Sequence, residues 1–248
     1  MKIINLSLFI ILVVVAVVYI MTAEKYYSAY NSTFSLPVKQ LQGTYCNYNV
    51  EKIIHEQLLQ TAERVTKILD KHNIDIWIGC GGLLGYHRHG GLIPWDDDVD
   101  MECFDYDIEN IKKILKNDAD NNTYEVFIEK RHYNFISGMY RLTYSDISDK
   151  KLKFEIFVLK KKGNDIGNIG VIYNMLNPKE TMEQGTRIPI ENVLIDNHLL
   201  KKPINSIEYL NKVYGENWND SAIIHPKHSG KNEDFLVKFS WPVDYSCD

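Results

Sequence analysis

The stretch from Trp77 to Glu102, WIGCGGLLGYHRHGGLIPWDDDVDME, constrains this chain more than any other. The apolar run Ile76-Trp77-Ile78 reads as a short buried strand. Glycines follow at once, at Gly79, Gly81 and Gly82, and then a helix start, Leu83-Leu84-Gly85-Tyr86. A second glycine pair, Gly90-Gly91, is flanked by Arg88 and His89. After Ile93-Pro94-Trp95 come four acids in five positions, Asp96, Asp97, Asp98 and Asp100. The end of the run alternates. Asp98, Asp100 and Glu102 fall on one face of a strand, and Val99, Met101 and Cys103 on the other.

Two carboxylates at i and i+2 on one strand face repel each other, which raises their pKa values unless a cation sits between them. An oxygen-only ligand set favours a hard cation, Mg²⁺ or Mn²⁺. The glycines have a matching reading, because a strand, a Gly-Gly turn and a helix N-terminus expose backbone N–H groups to a phosphate. Taken singly, glycine pairs are usually turns and acid clusters usually solvated loops. Their density in one stretch gives them weight. A calcium loop also fits Asp96, Asp98 and Asp100 at its first, third and fifth positions. It fails at the sixth, where Met101 replaces glycine, and at the twelfth, where Asp107 replaces glutamate.

The run LLGYHRHGGLIPWDDDVD resembles the signature of the LicD family, which includes phosphocholine transferases and fukutin-type transferases. The resemblance covers about residues 74–220 and is dense over 81–101. It implies an α/β fold with a mixed sheet, of nucleotidyltransferase type. It also implies transfer of a phospho-alcohol from a CDP-linked donor to a hydroxyl of a glycan or glycoprotein, with a divalent metal. On that reading Asp98 and Asp100 hold Mg²⁺ or Mn²⁺, with Asp96 or Asp97 assisting, while Gly81, Gly82 and Arg88 steady phosphate charge. Arg141, on a predicted strand, is the second candidate cation, set against a structural salt bridge. His87 and His89 read as exposed loop residues, and Trp95 as a residue that positions the acid loop.

A third acid stands in Lys153-Phe154-Glu155-Ile156-Phe157-Val158. Glu155 lies between apolar neighbours on a strand expected beside the acid strand. A buried, isolated carboxylate is costly and needs a cation partner. LicD-like sequences resemble this segment with Asp-Ile-Phe, so Glu-Ile-Phe is one methylene longer. Glu155 either completes the metal site or takes the acceptor proton. Two other readings stand beside this one, a nucleotide-sugar glycosyltransferase using Asp98 and Asp100, and a non-catalytic member of the fold.

The 248 residues suffice for one domain with a sizeable core. A net charge of −5 and the absence of a basic block argue against nucleic acid as a partner. Four cysteines form no CxxC or zinc pattern. Cys46–Cys247 is the pairing expected in an oxidising compartment, and Cys80 and Cys103 read as structural thiols.

Residues 1–22 read as a transmembrane signal anchor, because Ile3–Met21 is apolar except for Asn5 and Ser7. A cleaved signal peptide competes, but the run is longer than a usual apolar core of such peptides. The sequons at Asn31, Asn121 and Asn219 all follow the span. Together these features suggest a single-pass type II membrane protein of the Golgi or ER lumen. Residues 23–47 read as a stem, 48–225 as the catalytic domain and 226–248 as a tail. Within the domain, helices are expected over Val50–His72, Asp107–Leu115 and Ser206–Val213, the last capped by Ser206. Strands are expected over Tyr124–Ile128, Phe135–Tyr144 and Leu152–Leu159. A hairpin is expected around Asp196-Asn197, and Gly215 is expected to end the last helix.

Overall fold

The computed structural model describes residues 36–104, 108–120, 124–131, 139–146, 153–168, 179, 181–226, 231, 235–242 and 247. The expected membrane span lies outside the described residues, as do two of the sequons, at Asn31 and Asn121.

A seven-stranded mixed sheet is the frame. Its main path runs β2 (Ile76–Ile78), β3 (Asp98–Phe104), β6 (Lys153–Lys162), β5 (Met139–Asp146), β4 (Tyr124–Arg131). β3 and β6 are parallel, and the other pairs on this path are antiparallel. β6 turns back into β7 (Asp165–Asn168), which pairs with β8 (Met182–Glu183). In β3 the alternation works as the sequence suggests. Val99, Met101 and Cys103 are fully buried in the main core, facing the helices. In β6 it is Phe154, Ile156 and Val158 that join the same core.

α1 (Lys52–Asp70) packs across this face. Leu58, Leu59, Ala62, Val65 and Leu69 recur at three- and four-residue spacing and are buried. Ile53 is 56% exposed, whereas its neighbour Ile54 packs against the core. α2 (Cys80–His89) ends at Gly90, whose φ of 74° is the left-handed helix stop. α3 (Ile108–Asp120) runs five residues past its expected end. Its last turn is held to α1 by Arg64, which forms a forked ion pair with Asp118 at 3.0 Å. The Asp- and Asn-rich composition there reads locally as a turn, and this distant partner overrides it.

The hairpin forms as expected. β9 (Ile190–Ile195) pairs with β10 (His198–Pro203), and both Asp196 and Asn197 have positive φ. A short helix, α4 (Gln184–Arg187), precedes it, and α5 (Ser206–Tyr214) follows and stops at Gly215. The N-cap of α5 is Asn205, and Ser206 instead bonds His87 and Lys202.

The supposed stem and tail are folded where they are described. β1 (Val38–Gln40) lies parallel to β12 (Leu236–Ser240), which also pairs with β11 (Ser221–Ile224). Tyr45 stacks on Phe239 with ring centroids 5.7 Å apart, and its ring meets Trp95 edge-on at 5.4 Å. Cys46 is joined to Cys247 by a disulfide. Apolar rings scattered through both termini thus bury one another against the acid loop, which local composition does not reveal.

The disulfide closes a sequence separation of 201 residues. Loop-closure entropy for so long a loop corresponds to about 5 kcal/mol, and native cross-links typically contribute about 2–5 kcal/mol. Replacing both cysteines with serine is expected to lower the urea midpoint and to steepen the slope, because the unfolded chain becomes less compact. An unchanged midpoint would show that the cross-link does not hold the termini.

Candidate functional site

The acids converge where β3 leaves the loop that follows α2. In the parallel β3–β6 pair Asp100 is the register partner of Glu155, and Asp98 of Lys153. Adjacent strands lie about 4.8 Å apart, so the register alone brings Asp100 and Glu155 together. Carboxylate oxygens of Asp98, Asp100 and Glu155 all lie within 4.8 Å of one another. Asp96, Asp97 and Asp98 form a second such group, so Asp98 belongs to both. Glu155 is buried at 6% exposure, and the aspartates are half-buried.

Such crowding has an electrostatic cost. Burial raises the pKa of Asp100 to about 7, with further upward pushes from Asp96, Glu155 and Glu102 and a downward one from the Gly81 N–H. Oxygen donors at this spacing fit a hard divalent cation, whose charge would relieve the repulsion.

The glycine turn has a different role from the one its sequence suggested. Gly79 N–H donates to the Asp100 carbonyl at 3.0 Å. Cys80 N–H donates to the Tyr209 hydroxyl at 3.0 Å. Gly81 lies against the acids themselves, a Cβ there coming 3.7 Å from Asp100 Oδ2. The amides of Gly79 and Cys80, expected to cradle phosphate, therefore bind the chain's own acid strand and its support. The absence of a side chain at Gly79 and Gly81 allows the approach, since a Cβ on Gly79 would lie 2.7 Å from Glu102 Cδ and one on Gly81 3.1 Å from Asp96 Oδ2.

Arg88 is likewise committed elsewhere. Its Nη2 donates to the backbone carbonyls of Trp218 and Ser221, the latter at 3.2 Å. It ties α2 to the C-terminal third and does not point its guanidinium at the acids, so the phosphate role expected for it is not what the structure places there. Arg141 sits on β5 opposite Phe157, two register pairs from the Thr143–Glu155 pair. The two histidines are helical and half-buried, not exposed loop residues. His87 bonds Ser206 at 2.8 Å, and its pKa is lowered by burial and by Lys202. His89 packs edge-on to Trp95 and Trp241, and burial with Arg88 nearby lowers its pKa to about 4.

Two groups that position the acids escaped the sequence reading. His55 Nε2 bonds the Asp96 carbonyl at 2.8 Å and so fastens the acid loop to α1. In the sequence it is a histidine on a polar helix face with no partner motif. Glu102 continues the acid row but is no metal ligand. Its carboxylate, 2% exposed, pairs with buried Arg187 and accepts from Trp77 Nε1 at 2.8 Å and the Tyr209 hydroxyl at 2.9 Å. Trp95, 4% exposed among Tyr45, His89, Phe239 and Trp241, anchors the loop as expected.

Fold and site first define a class, a mixed α/β domain with acids from adjacent parallel strands meeting at a helix start. Comparison then supplies the family. Residues 73–195 match the LicD/FKTN/FKRP nucleotidyltransferase domain, and this part of the chain belongs to the LicD family. An uncharacterised protein of Rickettsia prowazekii is 29% identical over 172 residues, 69% of this chain and 59% of the relative. The human ribitol 5-phosphate transferase FKRP is 39% identical over 57 residues, 23% of this chain and 12% of its own length. The human ribitol-5-phosphate transferase FKTN is 25% identical over 167 residues, 66% of this chain and 32% of its own length. The chain thus spans little more than half of the first of these relatives and a third or less of the other two. Among solved structures, ANT(2")-Ia with adenylyl-2"-tobramycin aligns with a TM-score of 0.39 at 12% identity, covering 65% of this chain and 81% of that one.

The expected location is corrected by the same findings. Among the described residues no helix is long and apolar enough to cross a membrane. Two relatives that each match 69% of the chain are bacterial, from Rickettsia prowazekii and Rickettsia typhi, and bacteria have no Golgi. The type II Golgi or ER placement is withdrawn.

Two outcomes follow from this geometry. Because the folded-state pKa of Asp100 is raised from 3.8 to about 7, the native state retains a proton that the unfolded chain loses. The penalty is absent below about pH 4, grows as pH rises to about 7 and is constant above it. In EDTA-treated protein the thermal midpoint should fall across that window, and Asp100→Asn should flatten the fall. An equal slope in both proteins would refute the crowding. Separately, a Cβ on Gly85 would lie 2.7 Å from the Gly91 carbonyl and 2.9 Å from the Ile93 amide. Gly85→Ala should cost about 1–3 kcal/mol by displacing the loop that leads to the acids, measurable by urea unfolding.

Proposed function

We propose that the chain is a metal-dependent transferase. It moves a phospho-alcohol, such as ribitol phosphate or phosphocholine, from a CDP-linked donor to a hydroxyl of a glycan or glycoprotein. The observation that carries the proposal is the meeting of Asp98, Asp100 and Glu155 across two parallel strands. The relatives named as ribitol-phosphate transferases support the type of group transferred.

In this reading Asp98 and Asp100 hold Mg²⁺ or Mn²⁺, with Glu155 and Asp96 as further donors. When bound, the cation neutralises the donor pyrophosphate and favours in-line displacement. The acceptor oxygen forms a bond to the phosphorus that carries the alcohol, and the bond from that phosphorus to the CMP oxygen breaks. A carboxylate of the cluster takes the acceptor proton. Glu155, buried beside Asp100, is placed for that role or for ligation. The amides of Gly79 and Cys80 hold the acid strand and its support. His55 and Trp95 keep the acid loop in place.

The test is a panel of CDP-alcohols offered to the purified protein with Mn²⁺ and candidate glycan acceptors, reading CMP release and acceptor labelling. Wild type should transfer from at least one donor. Asp98→Asn should reduce transfer by about a thousandfold or more, the scale of losing a principal electrostatic group, while the protein stays folded. Full turnover by that variant would end the proposal.

A further inference from the structure

Residues 79–81 begin α2 in an uncommon conformation. Cys80 has a φ of 39°, in the left-handed region that side-chain-bearing residues rarely occupy. Such a conformation persists when surrounding contacts hold it. The contact on Cys80 is Tyr209, a fully buried residue of α5, whose hydroxyl accepts from Cys80 N–H at 3.0 Å and lies 3.4 Å from its thiol. The same hydroxyl donates to Glu102 at 2.9 Å. One proton and two lone pairs are thus accounted for by groups on two different elements.

Glu102 fixes Tyr209 in turn. Arg187 pairs with its carboxylate, and the guanidinium carbon lies 5.1 Å from the centre of the Tyr209 ring. Trp77 holds the other carboxylate oxygen at 2.8 Å. The turn lies directly on this group, since a Cβ at Gly79 would come 2.7 Å from Glu102 Cδ. A linked path therefore runs from the C-terminal third through Arg187, Glu102 and Tyr209 to the Cys80 amide. On either side of it, Gly79 N–H donates to the Asp100 carbonyl at 3.0 Å, and a Cβ on Gly81 would lie 3.1 Å from Asp96 Oδ2.

We infer that Tyr209 is a positioning residue for the acid site, its hydroxyl holding the nose of α2 so that Gly79 N–H meets the Asp100 carbonyl and Gly81 lies against the Asp96 and Asp100 carboxylates. The inference rests on the metal-dependent reading of the acids. Arg187 and Glu102 are poor probes, because removing either leaves a buried charge unpaired. Tyr209→Phe keeps the ring and its volume and removes only the oxygen.

The experiment measures Mn²⁺ binding to the full chain by calorimetry, alongside the thermal midpoint, for wild type, Tyr209→Phe, Tyr209→Phe/Cys80→Gly and Asp98→Asn. Tyr209→Phe should bind Mn²⁺ about tenfold more weakly while remaining folded, the usual scale for a residue that orients a ligand. Adding Cys80→Gly, which removes the cost of positive φ, should recover part of that affinity. A purely structural tyrosine would lower the midpoint and leave the Mn²⁺ affinity of the folded protein intact. The inference is overturned if Tyr209→Phe binds within about twofold of wild type while Asp98→Asn loses binding, given the tenfold scale expected. If Asp98→Asn also binds normally, the metal reading itself fails and the role of Tyr209 falls with it.

Discussion

Carboxylates held closer together than their charges favour are the constraint around which this domain is arranged. Asp100 and Glu155 are register partners on parallel strands, and Asp98 shares their surroundings. Left alone, like charges at this distance separate or take up protons. The rise of the Asp100 pKa to about 7 is the second response, with burial as its largest cause. A protein that keeps such a cluster against its electrostatic cost needs rigid elements behind every member. The β3–β6 ladder supplies them for Asp100 and Glu155, and the anchored loop supplies them for Asp96.

The support comes from parts of the chain remote in sequence. His55 on α1 holds the Asp96 carbonyl, and Val50 N–H holds that of Pro94 at 2.8 Å. Trp95 is wedged among rings from residues 45, 89, 239 and 241. Beneath the acid row, Glu102 meets Arg187 and Tyr209, so α4 and α5 become part of the site's foundation although neither carries an acid of the cluster. A buried ion pair is weak evidence for stability but a plain source of geometric definition. Here it binds four elements, β2, β3, α4 and α5, at one point.

What the sequence made legible is what local periodicity encodes. Alternation over Asp98–Cys103 separated acid face from core face, and a lone acid in an apolar run marked Glu155. Positive-φ residue types marked the turn at Asp196-Asn197 and the stop at Gly215. Partners at long range left no such trace. Arg187 sits in a polar stretch and reads as surface, yet it is 1% exposed. Arg88 reads as a phosphate ligand because of its company, yet it serves two carbonyls of the C-terminal third. Glycines mark close approach without saying what approaches, and here it is the protein's own acids.

The substitution at the third acid shows how geometry sets chemistry. LicD-like sequences resemble this segment with aspartate at that place, and the extra methylene of Glu155 raises the question of fit. With its Cα paired directly to that of Asp100, the longer arm still brings an oxygen within 4.8 Å of Asp98 and Asp100. The backbone register, not side-chain length, determines whether the third acid can join the cluster. A longer arm also has one more torsion, so a glutamate on the ladder can reposition its carboxylate with less backbone adjustment than an aspartate. Its burial at 6% exposure limits that freedom to the interior of the cluster. Under the proposed function, ligation and proton transfer would be alternative positions of that one carboxylate.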